Sequence, residues 1–372
     1  MRILYVLTSL GIGGAERQTL AHARRMAGRG HQVRLIVLRR LPEEWPAPLP
    51  PAALTIDRLD LSKSAAAAVR GLLRARQCLR SFRPGVVHSH GFHANIFARL
   101  LRCIAPMPVI VSTVHNVYEG GWRRMLAYRL TNRLSTRTTT VSEAAARRFV
   151  LLRAISPRRC LVLPNAIELA EFAPDLRRRV STRATMGAPG HFVWLAAGRI
   201  VPAKDYRTLL RAFARVQGSL PQTRLWIAGE DRANHLPALQ SLARELRIDG
   251  AVRWLGLRRD LTALLDAADA FVLGSAWEGM PLALAEAMAM AKPVVATDVG
   301  GVRELVGGAG VVVPPGNPQA LAAAMRQLAA ETPSVREALG RAARARIEQG
   351  FNLEVRAGEW EQLYQSLIAQ RS

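Results

Sequence analysis

Short apolar runs alternate along this chain with longer stretches whose apolar positions recur at helical spacing. In the first half, runs at 2–8, 33–38, 54–59, 85–88, 108–114, 138–141 and 161–163 predict strands. Helices are predicted after the glycine turn through about Arg29, over 65–82, 92–103 and 122–134, and behind Ser142, which offers an N-cap with Glu143 next to it. In the second half, strands are predicted at 192–197, 224–228, 252–255, 270–273, 293–296 and 310–313. A turn over 200–205 leads into a helix through Ala214, another helix opens at Pro281, and the last covers about 353–370. Repeated β-α units predict an α/β chain with a parallel, doubly wound sheet in each half. In such sheets ligands lie beyond the carboxyl ends of the strands. Residues 171–190 are polar, proline-bearing and arginine-rich, and read as a linker. The domains expected are therefore 1–170 and 191–351.

A chain of 372 residues is long for one core, which agrees with two domains. No apolar run approaches the about 20 residues needed to span a bilayer. The first strand is short for a signal segment and runs directly into a glycine-rich turn, so a cytoplasmic protein is expected. Cys78, Cys103 and Cys160 are scattered, without Cys-x-x-Cys spacing, and suggest neither a disulfide framework nor a metal site.

Charge changes the picture. The formal net charge is +24, and from Leu61 to Ile167 the only acids are Glu119 and Glu143. A basic surface attracts polyanions. Anionic lipid headgroups and nucleic acid both qualify, and arginine-rich composition spread over solvated helices is the plain alternative. Nucleic acid is disfavoured by the lack of a recognition-helix or aromatic-platform pattern. In the helix 122–134, Trp122, Leu126, Leu130 and Leu134 form a stripe, but Arg129 and Arg133 fall within its arc. The stripe reads as core packing, so any membrane adsorption is expected to be electrostatic.

Candidate chemistry gathers at strand ends. After the run 270–273 come Ser275, Glu278-Gly279-Met280-Pro281-Leu282 and Glu286. Pro281 suits a first helical turn. The N–H groups of Gly279 to Leu282 would then form an anion and hydroxyl site flanked by two carboxylates. Gly198-Arg199 with Lys204 ends another strand, and two cations around a turn can clamp a diphosphate. In the first half, Gly11-Ile-Gly13-Gly14-Ala-Glu16 follows the first strand. Its spacing is not that of a dinucleotide loop, and Arg39 rather than an acid follows the second strand, which argues against NAD. His88-Ser-His90, with His93 and Asn95, ends a third strand; Thr113-Val-His115-Asn116 and Pro164-Asn165 end two more.

Glu278-x7-Glu286 within Glu-Gly-Met-Pro-Leu, together with Gly198-Arg199-x4-Lys204, resembles the signature of retaining glycosyltransferase family 4. Ala291 stands where that family usually has glycine, and Ala166 and Glu168 depart mildly from its Pro-Asn-Gly-Val-Asp turn. The resemblance implies the GT-B fold, two Rossmann-like domains facing each other across a cleft, with the final helix (352–372) packing back on the first. It implies a nucleotide-sugar donor and a glycan or lipid-linked acceptor in cell-envelope glycan synthesis. Catalytic contacts would be His115, Glu278, Arg199 and Lys204. Donor binding would use Gly13, Gly14, Gly198, Gly279, Met280, Pro281, Leu282 and Glu286, with Glu16, His90, His93 and Asn95 on the acceptor side. With Arg199 and Lys204 present and no Asp-x-Asp, neither metal nor other cofactor is expected. A peripheral place on the inner face of the cytoplasmic membrane fits the basic first half. The rival readings are a nucleotide-sugar 2-epimerase or a phosphorylase of the same fold, and a basic nucleic-acid-binding protein.

Overall fold

A computed structural model describes residues 1–11, 13–39, 54–61 and 65–370. Ile12 of the glycine turn and the last two residues of the expected final helix lie outside them. The chain divides into two compact units, Met1–Ala166 with Leu353–Ser372, and Ile167–Asn352.

The first unit carries β1 (Arg2–Leu7), α1 (Gly14–Gly28), β2 (Gln32–Val37), β3 (Leu54–Arg58), α2 (Ala65–Phe82), β4 (Val86–His90) and α3 (Phe92–Leu101). It continues with β5 (Val109–Val114), α4 (Trp122–Thr131), β6 (Arg137–Thr140), α5 (Glu143–Leu151) and β7 (Cys160–Val162). All strand pairs are parallel, in the order β3-β2-β1-β4-β5-β6-β7. Alternate residues of β1 feed two cores, as the period of two requires. Ile3, Tyr5 and Leu7 face one side of the sheet, and Leu4 and Val6 face the other.

The second unit carries α6 (Leu176–Thr185), β8 (Phe192–Ala197), α7 (Tyr206–Ser219), β9 (Thr223–Ala228), α8 (Leu236–Glu245), β10 (Val252–Gly256), α9 (Leu261–Ala267) and β11 (Ala270–Leu273). Then follow α10 (Leu282–Ala289), β12 (Val294–Thr297), α11 (Val302–Val306), β13 (Val311–Val313), α12 (Pro318–Ala330) and α13 (Pro333–Gly350). Its sheet is also parallel, in the order β10-β9-β8-β11-β12-β13. The final helix, α14 (Leu353–Ala369), belongs to the first unit. It buries Ala357, Trp360, Tyr364 and Leu367 in the core that holds Tyr5.

Two expectations need correction. The stretch 171–190 is not a plain linker, because it contains α6, which packs on α9. Arg178 pairs with the buried Asp266, and Arg179 and Arg183 pair with Asp269 at 2.5 and 3.1 Å. Arg179 and Arg183 also donate to carbonyls of Asp266, Ala267 and Ala268, the open end of α9. The polarity that suggested a linker is a docking set.

The second correction concerns α4. The helix stops at Thr131, and a 3-10 turn covers Asn132–Leu134. Its inner face is Tyr128 and Thr131, whereas Trp122, Leu126 and Leu130 are 70%, 42% and 73% exposed. The stripe that read as core packing faces outward. Among the described residues, no helix is long and apolar enough to cross a membrane.

Candidate active site

Both sheets reverse their strand order once, beside β1 and β4 in the first unit and beside β8 and β11 in the second. At such a switch point, the connections after the two strands diverge and leave a crevice. Most of the sequence motifs follow these four strands; His115 follows β5 and Pro164-Asn165 follows β7.

In the second unit, the loops after β8 and β11 are tied together. Ala276 N–H donates to Ala203 C=O at 2.8 Å. Lys204 Nζ meets Glu278 Oε1 at 2.6 Å, and Ser275 Oγ donates to the same oxygen at 2.7 Å. Lys204 and Glu278, read separately in the sequence, are therefore one ion pair. Glu278 is buried, and its Oε2 accepts no hydrogen bond among the described residues. That oxygen remains for a ligand. Glycines let the backbone close around the pair. Gly198 has φ +154°, and a Cβ there would meet Lys204 Cε at 2.7 Å. A Cβ on Gly300 (φ +54°) would sit 1.9 Å from Glu278 O. Tyr206 OH donates to Gly198 O at 2.7 Å. Arg199 is exposed.

Pro281 is the N-cap of α10 rather than a residue of its first turn. The first intrahelical donor is Ala285, to Pro281 O at 3.3 Å. The N–H groups ahead of it are those of Leu282, Ala283 and Leu284, so the free set begins three residues later than the expected Gly279, and Pro281 itself has no N–H. Gly279 is held separately, its carbonyl accepting from Gly301 N–H at 2.7 Å. Met280 and Leu282 are buried, and Glu286 is a carboxylate only 1% exposed inside α10.

In the first unit, Ser9 Oγ donates to Glu16 Oε1 at 3.3 Å. A Cβ on Gly13 would lie 2.2 Å from Glu16 Oε2, so the carboxylate folds over the glycine turn. Gly14 opens α1 and is exposed. His90 Nδ1 meets His115 Nε2 at 3.0 Å. Asn95 does not face an acceptor: it is fully buried, its Oδ1 accepting from Ser89 and its Nδ2 donating to Thr113 O and Tyr128 OH. Its polar groups are consumed in the core. His93 is exposed and meets Phe92 edge-on at 5.3 Å between ring centroids, with no ring contact to the other histidines among the described residues.

Sequence reasoning passed over several groups. Gln18 and His22 share a face of α1 and line a small cavity with His90, His115, Asn165 and Trp360. Their i, i+4 spacing was a usable signal. Glu119 carried a stronger one, as one of two acids in a long basic stretch. Its Oε1 accepts from His115 N–H at 3.3 Å, and its Oε2 from Tyr128 OH at 2.5 Å.

Residues 12–171 match a family model described as Glycosyltransferase Family 4, and residues 191–331 one described as Glycosyl transferases group 1. Glycogen synthase from Mycobacterium tuberculosis is 31% identical over 77% of this chain and 69% of its own length. The chain belongs to glycosyltransferase family 4. The Escherichia coli UDP-Gal:alpha-D-GlcNAc-diphosphoundecaprenol alpha-1,3-galactosyltransferase is 26% identical over 63% of this chain. That match spans 62% of the galactosyltransferase, less than two thirds of its length. The solved structure of Anabaena HepE in complex with UDP and glucose superposes with a TM-score of 0.85 at 20% identity, covering 98% of this chain and 100% of that one. The family 4 chain thus has the GT-B fold, with one Rossmann-like sheet in each unit.

Glu119 sets a testable pH dependence. Burial lifts its carboxyl from an ordinary 4.5 to about 7, opposed by hydrogen bonds from Tyr128 and the His115 N–H. Between those values the folded chain holds a proton that the unfolded chain has lost. This contribution to stability therefore falls as pH rises. In Glu119→Gln it is absent, while the buried histidines are common to both chains and cancel in the difference. Denaturant unfolding should show the variant gaining stability relative to the parent as pH rises from about 4.5 through 7. A pH-independent difference would contradict the assignment.

Proposed function

We propose that this family 4 protein is a retaining hexosyltransferase that needs no metal. It moves a sugar from a nucleoside diphosphate sugar to a lipid-linked or polysaccharide acceptor in cell-envelope glycan synthesis. The observation that carries the reading is the Lys204–Glu278 pair, oriented by Ser275, at the switch point of the second sheet.

Breaking the bond from sugar to diphosphate builds negative charge on the leaving group. Lys204 and Arg199, with the leading N–H groups of α10, supply preorganised positive charge for it. Glu278 uses its second oxygen to hold a sugar hydroxyl, and Glu286 accepts from the ribose. Gly279 and Met280 shape the backbone against the sugar. His115 contacts the sugar from the first unit, where Gly13 and Gly14 join the donor contacts and Glu16 and His90 serve the acceptor side. Retention follows when the acceptor hydroxyl attacks from the face the diphosphate leaves, with that phosphate taking its proton. The complex of HepE with UDP and glucose supports the donor class. The diphosphoundecaprenol acceptor in the E. coli enzyme's name supports a lipid-linked acceptor.

Release of nucleoside diphosphate, measured after exhaustive EDTA treatment, tests the site. The parent should retain its turnover. Lys204→Ala and Glu286→Gln should each lose about a hundredfold, the scale for losing one charge-assisted contact to a developing anion. Loss of parent activity on chelation, restored by Mg²⁺ or Mn²⁺, would contradict the cationic leaving-group site. Near-parental turnover in both variants would contradict the residue assignment.

A lipid acceptor requires an approach to the membrane. The outward stripe of α4 supports one, because Trp122, Leu126 and Leu130 stand among the exposed Arg123, Arg129 and Arg133. An apolar line with arginine at its margins suits the interface of an anionic bilayer. Each cation near such a surface adds about 1 kcal/mol. Co-sedimentation with liposomes should rise with anionic lipid content. Part of it should survive about 0.5 M salt, where the Debye length is a few Å, and that part should vanish in Trp122→Ala/Leu130→Ser. Equal sedimentation with neutral and anionic liposomes, or none with either, would refute membrane docking.

A further inference from the structure

The first unit buries His22, His88 and His90 around Tyr5, with the half-buried His115 against His90, and the transfer reading gives a sugar contact to His115. Ring centroids of His88 and His90 are 4.0 Å apart, and those of His90 and His115 are 5.2 Å apart. Burial pushes His22 down to about 3 and His115 to about 4, and holds His88 and His90 well below the ordinary 6.5. All four rings are therefore neutral near pH 7. His88 spends both nitrogens, Nδ1 with Tyr364 OH and Nε2 with Thr113 Oγ1, each at 2.7 Å. His22 Nδ1 meets Tyr5 OH at 2.9 Å.

The other two rings meet each other. His90 Nδ1 and His115 Nε2 are 3.0 Å apart, which leaves His90 Nε2 and His115 Nδ1. Both of these nitrogens are buried without a hydrogen-bond partner among the described residues, as is His22 Nε2. The three rings line one cavity of about 20 Å³, with Gln18, Thr113, Asn165 and Trp360. That space takes about one water molecule or one hydroxyl group.

A neutral imidazole carries one N–H and one bare nitrogen. If His115 donates through Nε2, its Nδ1 is bare, and His90, bare at Nδ1, carries its own proton on Nε2. If His90 donates through Nδ1, both assignments reverse. In either case the two rings hold the same tautomer, and their outer nitrogens are one donor and one acceptor. We infer that His90 is a positioning residue that locks the tautomer of His115, and that the pair reads a single hydroxyl group in the cavity beside it. A hydroxyl fits because it donates one hydrogen bond and accepts another. That this hydroxyl belongs to a sugar rests on the transfer reading; the tautomer lock does not.

Long-range proton–nitrogen correlation on the full chain, with ¹⁵N-labelled histidine, tests the lock without any substrate. His90 and His115 should show the same tautomer, both protonated at Nε2 or both at Nδ1. Opposite tautomers, or an imidazolium at neutral pH, would overturn the inference. His90→Phe keeps a ring stacked beside His88 but removes the partner nitrogen. His115 should then lose its single locked tautomer for an averaged pair. Transfer should fall about tenfold, the scale of one hydrogen bond, with little change in melting temperature. His90→Asn, with an amide near the lost nitrogen, should recover part of both signals. A His115 that stays locked in His90→Phe would overturn the positioning role. An unlocked His115 with parental transfer would overturn the sugar-hydroxyl reading and leave the tautomer pair standing. Should His90→Phe fail to fold, the tautomers of the parent chain still decide the inference.

Discussion

Where strand order reverses in a parallel sheet, helices leave neighbouring strands toward opposite faces, and the strand ends between them are left uncovered. In the second unit this happens beside β8 and β11, and the site depends on it. The loop after one strand brings Lys204, and the loop after the other brings Glu278. Taking both charges out of water is costly, and their attraction offsets that cost only with good geometry and added hydrogen bonds. Ser275 Oγ supplies one such bond. The glycines permit the approach: a Cβ on Gly229 would lie 1.9 Å from Gly198 O, and one on Gly300 the same distance from Glu278 O. The charged pair thus rests on backbone packing that only glycine allows.

The first unit has the same topology and the opposite electrostatics. Its switch point, beside β1 and β4, places Glu16 against Gly13 and sets neutral histidines, His88 and His90, in the end of β4 itself. Burial removes charge from these rings instead of pairing it. A neutral, hydrogen-bonding surface suits hydroxyl groups, and a charged one suits phosphates. The final helix is part of this arrangement, since Tyr364 bonds His88 and Trp360 lines the histidine cavity.

Much of this was legible in the sequence. Most strands were plain because they are short apolar runs bounded by turn residues, the threonine-rich β6 being an exception, and β8 and β11 fall where the runs 192–197 and 270–273 put them. The motifs could be placed because they follow those runs. Partnership was not legible. Lys204 and Glu278 lie 74 residues apart, and no local pattern reports that they touch. Asn95 looked like a ligand group at a strand end, but only the fold shows that Ser89, Thr113 and Tyr128 consume it. The stripe on α4 misled because periodicity gives a face without saying what it faces. There the inner face is polar: Tyr128 bonds Glu119, and Thr131 Oγ1 donates to Ala127 O. Likewise, the arginines of α6 marked it as polar but could not show that Asp266 and Asp269 await them.

The central claim is that the loops after β8 and β11 form a nucleoside diphosphate site. Calorimetric titration of the full chain with uridine, guanosine and adenosine diphosphates tests it directly. One of them should bind with one-to-one stoichiometry. Lys204→Ala should weaken that binding by about tenfold or more, as expected for one charge-assisted hydrogen bond. Absence of binding by all three, or equal affinity in Lys204→Ala, would contradict the account.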